Sequence, residues 1–299
     1  MSGKIVKSCS ESDKHEGDAI CIVYHNGNIY SGGADGSIKI WDQDLNLKKD
    51  LIHHFGAYIY AIAVNYKGKL YSASNDGLVK FVENPLETTE GQNLMQSDEA
   101  VQCLYCDGDF LYTGDDIGVV TQWENDRILL KFNLVEEIKS LAVESNLIYT
   151  VRDLDVLVTE IISGSKSGRY STRMTIDGKS PLTLCGPIVD GKREFLSFCT
   201  RDGVGLKLVD NKKGKSFAKI WTKENCHSMI INSICGTDKT LFSGGYDKMV
   251  KMWVNIDKEC KLGGEINLES CINSICNGEN DHTIYAATSD GYIRKVAFS

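Results

Sequence analysis

Proline is scarce, with three in 299 residues, and no stretch approaches the roughly 18 uncharged apolar residues that a membrane-spanning helix needs. There is no excess of positive charge either: 33 Lys and Arg stand against 41 Asp and Glu, a net charge of −8. These gaps argue against proline-rich and collagen-like chains, and against a nucleic-acid binder that neutralises phosphates with a basic stripe. The short run at Lys212, Lys213 and Lys215 does not change that balance. Met1 to Ser10 lacks the apolar core of a secretory leader. The expectation is a soluble chain of the cytoplasm, with the nucleus open to it, bound neither to a membrane nor directly to nucleic acid. Its 42% hydrophobic content is ample for a sizeable core and too high for a disordered chain.

Cysteine, by contrast, is plentiful. Eleven is an odd number, and without a leader the expected state is reduced and buried. Cys103 and Cys106 form the sole C-x-x-C, in a predicted inner strand where residues three apart point to opposite faces, which suits neither zinc nor a redox pair. Cys21, Cys185, Cys235, Cys271 and Cys276 fall in comparable strands, as small apolar residues in a narrow space. No metal or other cofactor is expected.

One local pattern returns along the whole chain. Ile29 to Trp41 reads I-Y-S-G-G-A-D-G-S-I-K-I-W, and Leu70 to Val82, Leu241 to Trp253 and Ile284 to Val296 repeat it closely. Weaker copies surround Asp116, Asp153 and Asp202. Each is an apolar stretch, a turn with Asp, and a strand alternating apolar and polar residues, as in Ile38-Lys39-Ile40. The turn aspartates at 35, 76, 116, 153, 202, 247 and 290 recur every 37 to 49 residues. Joining the two ends supplies one more period. The spacing predicts an all-β seven-bladed β-propeller of four-stranded antiparallel blades. It is expected to be a single domain over 1–299, in which Lys4 to Cys9 closes the last blade.

The Trp41-Asp42 dipeptide and the histidine before each of the better copies make the sequence resemble the WD-repeat propeller family over its full length. The resemblance implies a hydrogen-bonded set of His, Ser or Thr, Asp and Trp inside a blade. Blade one matches with His15, Ser31, Asp35 and Trp41, and blade six with His227, Ser243, Asp247 and Trp253. Blade two keeps His54, Ser72 and Asp76 but has Val82 at the tryptophan position; blade three keeps Thr113 and Trp123. Blades four, five and seven lose most of the set. A Ser–His–Asp group invites a protease reading, but a set that recurs in several blades without an oxyanion hole is structural, its buried polar groups satisfying one another.

Two other segments resist a functional reading. Ser163 to Ser171 is polar, glycine-rich and basic, yet lacks the G-x-x-x-x-G-K-[ST] spacing of a phosphate cradle and is expected to be a connection in blade four. Asn84 to Ser97 is expected to be a solvated acidic link within blade two.

Because a propeller's backbone is consumed within its blades, function falls to the loops at its two ends. In the family, the loops before the inner strands share one end with the aspartate turns. In this chain that end is expected to hold Asp18, Phe55, Tyr58, Asp98, Asp115, Asp116, Glu136, Glu137, Arg152, Arg201 and Tyr246. Acid beside aromatics over blades one to four suits a basic peptide or domain with apolar flanks. The resemblance implies a non-catalytic scaffold or adaptor, monomeric by itself, that binds partner proteins. Two alternatives stand beside it. One is a propeller hydrolase or lactonase with a metal in the central channel, which the apolar inner strands disfavour. The other is a fixed subunit of a complex such as a ubiquitin ligase, whose substrate receptors carry W-D-x-R where this chain has Trp41-Asp42-Gln43-Asp44.

Overall fold

The computed structural model describes residues 2–134, 136–162, 169–212 and 216–299. Its 28 strands form seven four-stranded antiparallel sheets. Six sheets take their strands in sequence order, with inner strands Ala19–His25, Ile59–Val64, Val101–Asp107, Ser140–Glu144, Lys179–Val189 and Ile231–Gly236. The seventh begins at Ile272–Asn277 and is completed from the other end of the chain: Gly3–Ser8 pairs with Ile293–Phe298, Gly3 opposite Phe298 and Ser8 opposite Arg294. The predicted closure is present.

The core lies between blades. Tyr30, Ile38, Ile40 and Leu51 of blade one pack on Ile59, Ile62 and Leu70 of blade two. The last and first blades meet in the same way through Tyr285 and Ile293 against Ala19, Ile29 and Trp41. Second strands such as Asn28–Gly33 and Thr240–Gly245 are covered on both faces, so they read as continuous buried runs rather than alternating ones. Outer strands such as Arg127–Asn133 are mostly exposed. In blades one, two, three, six and seven a bulge breaks the register at the entry of the inner strand. Two bulged asparagines stitch neighbouring blades: Asn232 Nδ2 donates to the Ile272 carbonyl at 2.8 Å and Asn273 Nδ2 to that of Ala19 at 3.0 Å.

Several local expectations need correction. The pairing of Gly114 with Val120 parallels that of Gly32 with Ile38, so the residue at the turn-aspartate position of blade three is Ile117, not Asp116. In blade four Arg152 pairs with Asp155, which leaves a two-residue hairpin at Asp153 and Leu154 with no place for the aspartate turn of the other blades. Asn84 to Ser97 is not all link: Gln92–Gln96 is the outer strand of blade two, and Leu94 and Met95 pack on its core. Cys271 precedes its inner strand rather than lying in it. Residues 163–168, with Ser167, and Lys213 and Lys215 lie outside the described residues; Ser171 belongs to the outer strand Tyr170–Asp177.

Candidate functional site

The buried polar sets come first because they hold the turns on which the surface groups stand. In blade one Asp35 accepts from His15 Nδ1 at 3.2 Å, and His15 Nε2 lies 2.8 Å from Ser31 Oγ. Trp41 Nε1 donates to the same hydroxyl at 2.9 Å. Since Nδ1 donates to the carboxylate, Nε2 accepts the Ser31 proton, and the hydroxyl oxygen in turn accepts from tryptophan. Blade six repeats this with His227, Asp247, Ser243 and Trp253 at 2.7–2.9 Å. Gly33 is needed beside the set, because a Cβ there would stand 2.3 Å from His15 Nδ1 and 2.5 Å from Asp35 Oδ1. Burial raises the Asp35 carboxyl, but the bonds from His15 and Ser37 overcome this and hold it far below the ordinary range. Both hydroxyls are fully buried and capped by an indole N–H, so neither Ser31 nor Ser243 can meet a substrate.

Blade two solves its missing tryptophan differently. His54 bridges Ser72 and Asp76 at 2.9 and 2.8 Å, and the preceding His53 places Nδ1 2.9 Å from Ser72 Oγ, taking the tryptophan's role as donor. Nothing in the repeat pattern marks His53. Its Nε2 is buried against Gly91 and has no hydrogen-bond partner among the described residues. Burial, with the charges of His54 and Lys80, lowers His53 from 6.5 to about 4. The unfolded chain therefore takes up a proton that the folded chain refuses, so His53 costs stability as pH falls from about 6.5 towards 4. His53→Phe should remove roughly 2 kcal/mol of that pH dependence. Urea unfolding at pH 7 and pH 4.5 measures it; an unaltered difference between the two pH values would refute the assignment. Blade seven replaces histidine by arginine: Arg294 binds Asp290 at 2.9 and 2.6 Å, and Thr288 donates to Asp290 at 2.6 Å.

Backbone bonds put the inner-strand entries and the turns of the second strands at one end of the ring. The N–H of Ala34 donates to Asp18 O, Asn75 to Tyr58 O, Asp116 to Ala100 O, Tyr246 to Ile230 O and Ser289 to Cys271 O, all at 2.9–3.1 Å. On this end Phe55 is 91% exposed and Tyr58 53%, with the Tyr58 N–H held by Asn75 Oδ1 at 2.8 Å. Asp98 is exposed, and Asp18 is exposed while accepting from Asn273 Nδ2 at 3.3 Å.

Other expected residues are engaged within the fold. Asp115 is half-buried and accepts from the Val119 N–H at 2.7 Å, and burial followed by the neighbouring Asp116 charge raises its carboxyl. Asp116 is half-buried, with Oδ1 enclosed. In blade four Glu136 pairs with Arg152 at 3.4 Å and Glu137 with Lys139 at 3.3 Å, while Arg201 reaches back to Asp155 at 3.5 Å. The acidic surface expected over blades one to four thus narrows to blades one to three. Tyr246 is exposed, beside Met229 and Ile230, which the sequence reading missed. An apolar pair running into an apolar inner strand carries no signal that separates exposed residues from buried ones.

The remaining chemistry is subdued. Cys103 and Cys106 do lie in an inner strand, and burial pushes both thiols up to about 12. Among the described residues, no three His, Cys, Asp or Glu side chains converge as a metal would require. A cavity of about 550 Å³ opens between blades four and five at the opposite end. Its Arg173, Arg193 and Lys212 are paired with Glu160, Asp238 and Glu194 at 2.5–3.1 Å.

Seven blades and the closing strand define a seven-bladed β-propeller that carries WD-repeat sets in blades one and six. The family described as "WD domain, G-beta repeat" matches residues 6–42 and 219–254, the segments that hold the two complete sets. The crystal structure of the WD40 β-propeller domain of Doa1 superposes with a TM-score of 0.78 at 17% identity, covering 99% of this chain and 97% of that one. The computationally designed Ika8 protein gives 0.69 at 18% identity, covering 99% and 100%. A relative from Lotus japonicus named "Putative E3 ubiquitin-protein ligase LIN-1" is 21% identical over 93% of this chain, which spans 18% of that protein's length. Propellers of this family serve in general as protein-interaction modules.

Proposed function

We propose that the chain is a non-catalytic scaffold or adaptor, and that the loop end of blades one to three takes a basic partner segment with apolar flanks. The observation that carries this reading is the Phe55 ring, 91% exposed on a loop between buried His54 and Ala57, with exposed Asp98 on the neighbouring blade. A large apolar side chain held in water at the same end as an acid with no ion-pair partner among the described residues suits an anchor that is buried on binding and steered by charge. Its eleven thiols, all free, suit a reducing compartment, and we place the protein in the cytoplasm or nucleus.

Asp98→Lys and Phe55→Ala test the site better than changes at Asp115, whose carboxylate holds its own turn. Each should weaken binding of short Lys- and Arg-rich peptides containing Leu or Phe by about tenfold, and Asp98→Lys should also flatten the salt dependence. Peptide affinities indifferent to both changes would reject the site. The name of the Lotus japonicus relative favours one second reading, a subunit or substrate receptor in a ubiquitin-ligase assembly. Purification of the tagged chain from cells, followed by identification of stoichiometric companions, separates a fixed subunit from an exchangeable adaptor.

A further inference from the structure

On the far side of the same end, blades five and six carry a second group of exposed apolar side chains. Met229 and Ile230 are 51% and 47% exposed although Ile231, next in the chain, is buried, and Tyr246 is 51% exposed. The Tyr246 N–H donates to the Ile230 carbonyl at 2.9 Å, so the two residues stand side by side. Blade five adjoins through Gly203, whose carbonyl accepts from the Ile231 N–H at 2.8 Å. A Cβ on Gly203 would lie 3.7 Å from Ile230 Cγ2 and 3.9 Å from Lys179 Nζ, so this glycine leaves the Lys179 ammonium and the Ile230 side chain flanking one shallow gap.

Unlike blades one to three, this sector offers lysine side chains to a partner. Lys179 has no carboxylate partner among the described residues, and the same holds for Lys248, exposed on the blade-six turn. The nearby Asp202 accepts from the Thr200 hydroxyl at 2.5 Å and the Val204 N–H at 3.0 Å, and Asp247 accepts from His227, so both stay charged but are bonded within their own blades and not to either lysine.

We propose that this sector is a second docking site, for a protein segment in which a large apolar residue is flanked by Asp or Glu. Met229, Ile230 and Tyr246 would cover the apolar side chain, and Lys179 and Lys248 would pair with the flanking carboxylates. Three exposed apolar side chains in this sector favour a peptide over a nucleic acid, which would leave them uncovered, and the net charge of −8 opposes a polyanion. Together with the acidic, aromatic sector across the channel, the site makes the loop end polarised, so a long partner would lie across it in one direction only.

The test uses the full chain and short labelled synthetic peptides with a central Leu or Trp flanked by Glu, by Lys or by Ser, read by fluorescence anisotropy. Glu-flanked peptides should bind at least about tenfold more tightly than Ser-flanked ones. Ile230→Asp with Tyr246→Ala should remove that binding, and Lys179→Glu with Lys248→Glu should transfer the preference to Lys-flanked peptides. Asp98→Lys and Phe55→Ala should leave Glu-flanked affinity unchanged, so failure of this site and failure of the blade one-to-three site are read separately. If Ile230→Asp melts below the parent, Met229→Lys carries the test in its place. Equal affinity for Glu- and Ser-flanked peptides, or binding that survives the apolar changes, would overturn the proposal. So would a single-stranded oligonucleotide that binds through Lys179 and Lys248 while the peptides do not.

Discussion

Removal of residues 2–8 should lower the melting temperature by roughly 10 °C or leave the protein insoluble, far more than trimming seven residues from a free end would do. Those residues are the fourth strand of the last blade, running antiparallel to Ile293–Phe298, and the Cys9 N–H continues the ladder to the Ile293 carbonyl at 3.0 Å. Gly3 packs so closely that a Cβ there would stand 2.8 Å from that of Ile266 in blade six, which ties the closing strand to two blades at once. At about 1 kcal/mol net for each lost hydrogen bond the ladder alone is worth about 5 kcal/mol. Its loss also bares an unpaired strand edge, a template for aggregation. Differential scanning calorimetry and a sedimentation assay measure both effects. A synthetic peptide of residues 2–9 added in trans should recover part of the loss. A truncated chain that melts with the parent would show that the ring does not depend on this closure.

Trp41→Ala is the second large effect. Trp41 is fully buried in the contact between the last and first blades, and its indole N–H caps the Ser31 hydroxyl. Emptying that volume should cost about 4 kcal/mol, a fall in melting temperature of roughly 10 °C. Trp41→Phe keeps most of the volume and loses the hydrogen bond, so it should cost about 1–2 kcal/mol. The difference between the two separates packing from hydrogen bonding at this position. Equal losses would mean that the polar set, not the filled volume, holds blade one together. Trp253, capping Ser243 at 2.9 Å in blade six, should respond in parallel.

Where all four polar positions are present, the resemblance to the WD-repeat pattern located the sets. The distances at His15, Ser31, Asp35 and Trp41 follow from the strand register that the sequence pattern predicts. Where the pattern weakens, counting residues failed by small steps with large consequences. A one-residue error at Asp116 exchanged an exposed isoleucine for a half-buried aspartate, because neighbouring turn residues differ in direction and not in composition. His53 escaped notice for a related reason. Two adjacent histidines reach one serine only because the chain bends sharply between the outer strand of blade one and the inner strand of blade two.

The sequence by itself determined the number of blades, their strand order and the circular closure, because these rest on periodicity and on the need to bury apolar stripes, and both are written in one dimension. Which charged groups are free to act was decided only by the tertiary structure. Glu136 and Glu137 are paired with Arg152 and Lys139, Asp115 is spent on its own turn, and Lys179 meets Ile230 across Gly203. Each of these relations depends on where a side chain ends in space relative to residues that may lie on another blade. Coulomb energy and desolvation vary with that separation and not with distance along the chain.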